Sequence, residues 1–216
     1  MLTVYGRASS SNVQAVMWGI AELGLDCERL DCGHDFGKTD SAEYRALNPF
    51  GLVPTLKDGD LVIWESCAIL RYLAARYGDG GAFWPADPAL RARVDMWAEW
   101  GKVNFSRDFT GPIFWARVRT AAKDRDEAAL RRALDKFDGH LQHLQDQLQG
   151  RKYIMGDDFT LADISIGHVL FRYLDIDIPR VNRPIISDYY QRLKARPAYR
   201  EHVMVSYESL RAKGAN

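Results

Sequence analysis

Apolar and polar positions in the first 78 residues switch between a period of two and a period of three to four. Leu2-Thr3-Val4-Tyr5 is a short β-prone run closed by Gly6. Ser9-Ser10-Ser11-Asn12, all of helix-capping type, come next. Val13, Val16, Met17 and Ile20 then fall at i, i+3, i+4 and i+7, the stripe of an amphipathic helix that Gly24 ends. A second strand is predicted within Leu25 to Cys32. Ser41 to Leu47 reads as a short helix closed by Asn48-Pro49-Phe50-Gly51. Val53 to Trp64 reads as two strands around an Asp58-Gly59 turn. Ser66 is placed to cap a third helix carrying Ile69, Leu70, Leu73, Ala74 and Tyr77, which Gly78 stops. The predicted order is β-α-β-α-β-β-α. Pro54 lacks a ladder donor and so belongs at a strand start or edge.

Residues 79–89 are rich in Gly and Pro and read as a linker between two units, 1–78 and 90–216. No strand is predicted beyond it. Val94, Trp97, Trp100 and Val103 keep a helical spacing, with a break or kink expected at Gly111-Pro112. A long helix is predicted within Asp126 to Gln149, striped by Leu130, Leu134, Phe137, Leu141, Leu144 and Leu148. Thr160 and Asp163 have the spacing of a capping box, with Phe159 stapled onto Ile164. The helix that follows, through Leu170 and Tyr173, is apolar almost all round and is therefore expected at the centre. A last helix near Ile185 to Arg196 is expected to stop at Pro197. The second unit is thus all-α, and the fold class is α+β followed by a helical bundle.

Composition narrows the function. Lys plus Arg (29) equals Asp plus Glu (29), a balance that argues against a nucleic-acid surface. The start, MLTVYGRASSSNV, shows no basic segment followed by an apolar run, so no secretory signal is expected, and no stretch is apolar enough to span a bilayer. Three cysteines, Cys27, Cys32 and Cys67, without C-x-x-C spacing suggest free thiols in a reducing, cytoplasmic setting. No metal-ligand spacing stands out: His140 and His143 read as a solvated helix face, and Cys67 as a small core residue.

Three features carry chemistry together. Hydroxyls cluster at the mouth of the first helix. Val53-Pro54, a candidate cis peptide, precedes a strand. Glu65-Ser66 stands at the start of the third helix. A cis bond at Pro54 would turn the Val53 backbone outward to pair with an extended peptide. Glu65 and Ser66 would hold the amino and carboxylate ends of an amino acid, the carboxylate resting on the helix N-terminus.

Asn-Pro-x-Gly-x-Val-Pro-x-Leu, then Glu65-Ser66, then Thr-Leu-Ala-Asp-Ile-Ser, together resemble the cytosolic glutathione transferases over essentially the whole chain. The resemblance implies a thioredoxin-like N-terminal domain and a helical C-terminal domain that receives an apolar electrophile. It implies glutathione as co-substrate with no other cofactor, and a homodimer. Residues matching Val53, with Pro54 behind it, pair with the cysteinyl backbone of glutathione; those matching Glu65 and Ser66 hold its γ-glutamyl end. The theta-like and phi-like members use a serine at the first helix, which matches Ser10, with Ser11, Ser9 and the supporting Asn12 as rivals. Tyr5 lies too early, inside the strand. Trp100, Phe105, Phe109 and Trp115 are candidates for the electrophile pocket. Two alternatives stay open: glutathione-dependent disulfide or peroxide reduction, and a non-catalytic module of the same fold.

Overall fold

The computed structural model describes residues 1–214; Ala215 and Asn216, the end of the predicted 90–216 unit, lie outside the described residues. Four short strands form one sheet: β1 (Leu2–Tyr5), β2 (Cys27–Leu30), β3 (Thr55–Asp58) and β4 (Leu61–Trp64), in the order β2-β1-β3-β4. β1 runs parallel to β2, with Val4 opposite Arg29, and antiparallel to β3, with Tyr5 opposite Thr55. The β3–β4 loop is one residue later than predicted. Asp58 pairs with Leu61 inside the ladder, and Gly59-Asp60 make the turn. Gly59 takes the positive φ of 59° that a hairpin turn with Gly in first place requires.

Helix α1 (Ser11–Glu22) and α3 (Ser66–Tyr77) pack together over the sheet, while α2 (Ala42–Leu47) is a short connector. Ser41 caps α2 by accepting the Tyr44 N–H at 3.2 Å. α3 begins differently from expectation. Ser66 is its first helical residue, and the cap position belongs to Glu65, with a φ of 72°. Gly78 does end it.

The linker is shorter than predicted. Asp87 already caps α4 (Pro88–Trp100) by accepting the Leu90 N–H at 2.8 Å, with Pro88 at the first helical position, where its missing N–H costs nothing. Gly111-Pro112 does not interrupt the helical geometry, and the expected disturbance takes the form of a wide π-type turn there. Helical geometry runs on from α4 to Arg119 through wide π-type turns at Gly101–Ser106 and Thr110–Arg119, either side of α5 (Arg107–Phe109). A wider turn loosens the contact with the preceding carbonyls that makes proline disruptive in an ordinary helix.

The remaining helices are α6 (Glu127–Leu148), α7 (Leu161–Asp175), α8 (Pro184–Ala195) and α9 (Pro197–His202). α8 stops before Pro197 as predicted, with Arg196 held in an extended conformation, and Pro197 then opens α9. The α6 stripe is inward as predicted, with Phe137, Leu141, Leu144 and Leu148 at most 1% exposed. α7 is the central helix; all of its residues but Phe171, Leu174 and Asp175 are buried. α1 packs on α7 and α9, with Trp18 fully buried against the rings of Tyr199 (4.8 Å) and Phe159 (5.4 Å). The two units therefore share one continuous apolar core.

α7 also lies hard against the continuation of α4. A Cβ on Gly101 would meet Ile166 Cγ1 at 2.7 Å and the Ser165 carbonyl oxygen at 3.1 Å. Only glycine lets the α4 continuation lie this close to α7, and that brings the next residue, Lys102, up to the first unit.

Candidate functional site

The serine-rich tip of α1 opens onto a cleft of about 410 Å³ that the Val53 and Gly33 loops also line. Ser10 occupies the cap position of α1 with extended backbone (φ −84°, ψ 123°), yet its side chain makes no capping bond. Its hydroxyl is thus left available at the positive end of the helix. Ser11 and Ser10 are 9% and 8% exposed, so both face the cleft from within the fold. The loop before them is pinned: Gln14 Nε2 donates to the Ala8 carbonyl at 3.0 Å, and Arg172 Nη2 donates to the Ser9 carbonyl at 2.7 Å.

The opposite wall is built by α2 and the Asn-Pro-Phe-Gly segment. Tyr44 OH and Asn48 Nδ2 both donate to the Leu52 carbonyl, at 2.6 and 2.9 Å, and both reach Thr55 Oγ1. Asn48 Oδ1 also accepts the Phe50 N–H at 3.1 Å, the Asx turn that starts the loop. Gly51 has a φ of 62°, which turns the chain under the Arg45 guanidinium. Val53 follows, and the Val53–Pro54 bond is cis, as predicted. Among the described residues the Val53 N–H and carbonyl take no backbone partner, so both remain open to a ligand.

A smaller cleft of about 50 Å³ continues past Val53 and Pro54 to Glu65 and Ser66, with Asn12 shared between the two. Glu65 is exposed and sits in the left-handed region, which costs a non-glycine residue about 1–3 kcal/mol. Strain of this size beside a cleft points to a ligand-holding role. Ser10, Ser11, Asn12, Val53, Pro54, Glu65 and Ser66 are therefore all brought to one continuous groove.

The electrophile-pocket residues are not. Phe105 and Phe109 are 0% exposed and belong to the core, their rings tilted against Phe137 with centroids 4.7 and 5.4 Å apart. Trp100 is packed against Trp97, Phe105 and His140 and does not line the cleft. Only Trp115, 48% exposed, stands at the cleft. Helical spacing marks which aromatics share a face but not which face a neighbouring helix covers. Tyr5 packs edge-on to Tyr44 and stays out of the cleft.

His140 departs from expectation too. Its Nε2 lies 2.8 Å from Asp108 Oδ2, and its ring packs on Trp100 and Phe137, so it is part of a half-buried polar contact and not a solvated face. Cys67 is buried, and burial pushes its thiol pKa up, as befits a core residue. Among the described residues no group of three or more His, Cys, Asp or Glu side chains is placed to hold a metal ion, and no helix is long and apolar enough to cross a membrane.

Three residues that line the larger cleft, and one that bonds to its walls, carried no signal in the sequence. Lys102 reaches across from the helical unit: its Nζ donates to Asn12 Oδ1 at 2.8 Å and to Ser66 Oγ at 3.1 Å. Arg7, Arg119 and Arg172 all line the larger cleft. Each comes from a different segment, so no local spacing relates them.

Comparison with known proteins agrees with this geometry. The family models described as Glutathione S-transferase, N-terminal domain, and Glutathione S-transferase, C-terminal domain, match residues 1–75 and 114–202. Glutathione S-transferase GstB of Escherichia coli K12 is 37% identical over 207 residues, covering 95% of this chain and 99% of that protein. Glutathione S-transferase 3 of Zea mays is 32% identical, covering 94% of this chain and 93% of its own. The theta class glutathione S-transferase of Xanthomonas axonopodis pv. citri, solved with glutathione bound, superimposes with a TM-score of 0.89 at 40% identity, covering 95% of this chain and 98% of that one. With a thioredoxin-like sheet, a helical second unit and a groove between them, the chain is an enzyme of the glutathione S-transferase family.

Proposed function

We propose that the chain binds glutathione along the groove from Ser10 to Glu65 and transfers it, as thiolate, to an electrophile held in the cleft beside Trp115. The γ-glutamyl end lies at Glu65, Ser66 and the α3 N-terminus, the cysteinyl backbone pairs with Val53, and the sulfur meets the Ser10 hydroxyl. The observation that carries this reading is the juxtaposition in one groove of an unused N-cap hydroxyl and the open backbone of Val53.

The energetics suffice without a general base. A free thiol titrates near 8.5, so lowering it by about two units takes about 2.7 kcal/mol. One charge-assisted hydrogen bond contributes about 1.5–3 kcal/mol and the helix dipole about 0.3–1 kcal/mol. Holding both reactants in contact lowers the barrier further. The three free cysteines fit a cytoplasmic setting, and none lines the groove, which disfavours a mixed-disulfide mechanism. Exposed Phe50 packs edge-on to Trp64 at 5.0 Å, an apolar patch beside the groove that favours a homodimer.

Retention on immobilised glutathione and the ultraviolet thiolate signal of the bound tripeptide test the reading. Ser10→Ala is expected to raise the bound thiol pKa by about one to two units, the share of one charge-assisted bond. An unaltered thiolate signal would transfer the role to Ser11 or Asn12, and failure to bind glutathione would leave a scaffold without chemistry.

A further inference from the structure

A thiolate displaces a stable anion such as chloride unaided, but an oxygen expelled from carbon needs a proton. Among the side chains that line the larger cleft, His34 is the one of a type that exchanges a proton near neutral pH. Serine and threonine hydroxyls hold theirs, and the guanidinium groups of Arg7, Arg119 and Arg172 release none. No carboxylate, tyrosine or cysteine is among those lining residues.

A short turn brings His34 to the cleft, and the chain holds it against its own preference. The Gly33 N–H donates to the Gly37 carbonyl at 2.7 Å, and the Gly37 N–H donates to the His34 carbonyl at 3.0 Å. Glycine at both ends takes positive φ, 80° and 57°, which closes the turn. His34 itself has a φ of 54°, in the left-handed region that a residue with a Cβ seldom adopts. The turn is also packed on the segment proposed to receive glutathione. A Cβ on Gly33 would meet Val53 Cγ1 and Arg7 Nη1, each at 3.4 Å. Backbone strain at such a place points to function.

Asp35 decides which ring nitrogen is available. Its Oδ1 lies 2.9 Å from His34 Nδ1, so Nε2 is the nitrogen left to meet a ligand. The Asp35 side chain is 71% exposed and that of His34 27%, so the acid stands in solvent while the ring lines the cleft. The other charged groups around the ring are Lys38 on its own loop and the three arginines that share the cleft.

We infer that His34 is a further catalytic residue, a general acid that protonates an oxygen of the second substrate. This deepens the glutathione reading and rests on it. With an oxirane, the thiolate sulfur forms a C–S bond to a ring carbon as the C–O bond breaks. The electron pair goes to the oxygen, which takes the proton from Nε2. The product is a β-hydroxy thioether, and the neutral imidazole recovers its proton from solvent. Ser10 serves the sulfur and His34 the oxygen, from separate walls of one cleft.

The test compares styrene oxide, which needs that proton, with chlorodinitrobenzene, whose chloride leaves without one. Each rate is corrected for the uncatalysed reaction with glutathione, and ionisation of the thiol cancels in their ratio. The parent is expected to convert both, with an oxide-over-chloride ratio of kcat/KM that falls about tenfold between about pH 6 and pH 8.5 as the acid form is lost. His34→Gln should cut the ratio about a hundredfold at the acid end and flatten its pH dependence. Asp35→Asn should cut it less. A parent that leaves styrene oxide unconverted, or whose ratio ignores pH, overturns the inference, and so does a ratio untouched by His34→Gln. A parallel loss of both substrates in that variant also overturns it and would assign His34 to holding glutathione. A bound-thiolate signal accompanying any of these results leaves the glutathione reading standing, whereas its absence fails both.

Discussion

The Lys102 ammonium donates to Asn12 Oδ1 at 2.8 Å and so fastens the end of α4 to the tip of α1, across the boundary between the two units. The same nitrogen reaches Ser66 Oγ at 3.1 Å, at the first residue of α3. One cation thus holds in register the two helix tips that the proposed ligand must span, and it stands beside Ser66, within reach of an α-carboxylate held there.

Lys102→Met should therefore raise KM for glutathione roughly tenfold, the equivalent of about 1.4 kcal/mol from one charge-assisted bond. Folding stability should change by less than about 1 kcal/mol, because the contact is half-buried. Steady-state kinetics at varied glutathione, with a denaturant titration alongside, decide the matter; an unchanged KM would make Lys102 a strut and no more.

Asp163 is the polar centre of the helical unit. It is fully buried and accepts from the Thr160 N–H, the Thr160 hydroxyl, the Ile154 N–H and the Tyr189 hydroxyl, all between 2.8 and 3.0 Å. Asp163→Ala leaves four buried donors without their acceptor and is expected to cost about 3 kcal/mol or more. Asp163→Asn, which keeps one acceptor oxygen, should cost less. Chemical denaturation measures both. Activity per folded molecule should stay near that of the parent, since Asp163 is absent from the groove; a specific loss of turnover would contradict this structural role.

His168 makes stability depend on acid. Its Nδ1–H donates to the Ile164 carbonyl at 3.0 Å, and burial, aided by the Lys102 charge, holds its pKa down at about 3. The unfolded chain takes up this proton near pH 6.5, and the native state refuses it until about pH 3. Stability is then full above about pH 6.5 and falls with acid across that window, by up to about 1.4 kcal/mol per pH unit. Asp163, raised to about 6 by burial, acts in the opposite sense between about pH 6 and 4, so parent and variant must be compared. His168→Gln should flatten the dependence of unfolding free energy between pH 7 and 6. Identical slopes in the two proteins would exclude His168 as the source.

The amino-acid sequence alone determined the alternation of strand and helix in the first unit, the all-helical second unit and its buried central helix. Through the resemblance of its motifs it named the candidate groove residues from Ser10 to Ser66; through local rules it gave the capping box at Thr160 and the candidate cis bond at Pro54. Each of these depends on neighbours within a few residues, where periodicity, capping and backbone restriction act directly. Small errors of register came from the same range: Glu65 and not Ser66 takes the cap, and Gly59-Asp60 and not Asp58-Gly59 makes the turn. Tertiary structure decided the rest. Whether Phe105 and Phe109 lined a pocket or filled the core depended on α6 and α7 covering them. Lys102 meets residues 90 and 36 positions away, and Arg172 meets Ser9 163 positions away. Such contacts are set by how helices cross, and a glycine at 101 that permits a close approach shows its purpose only once α7 lies against it.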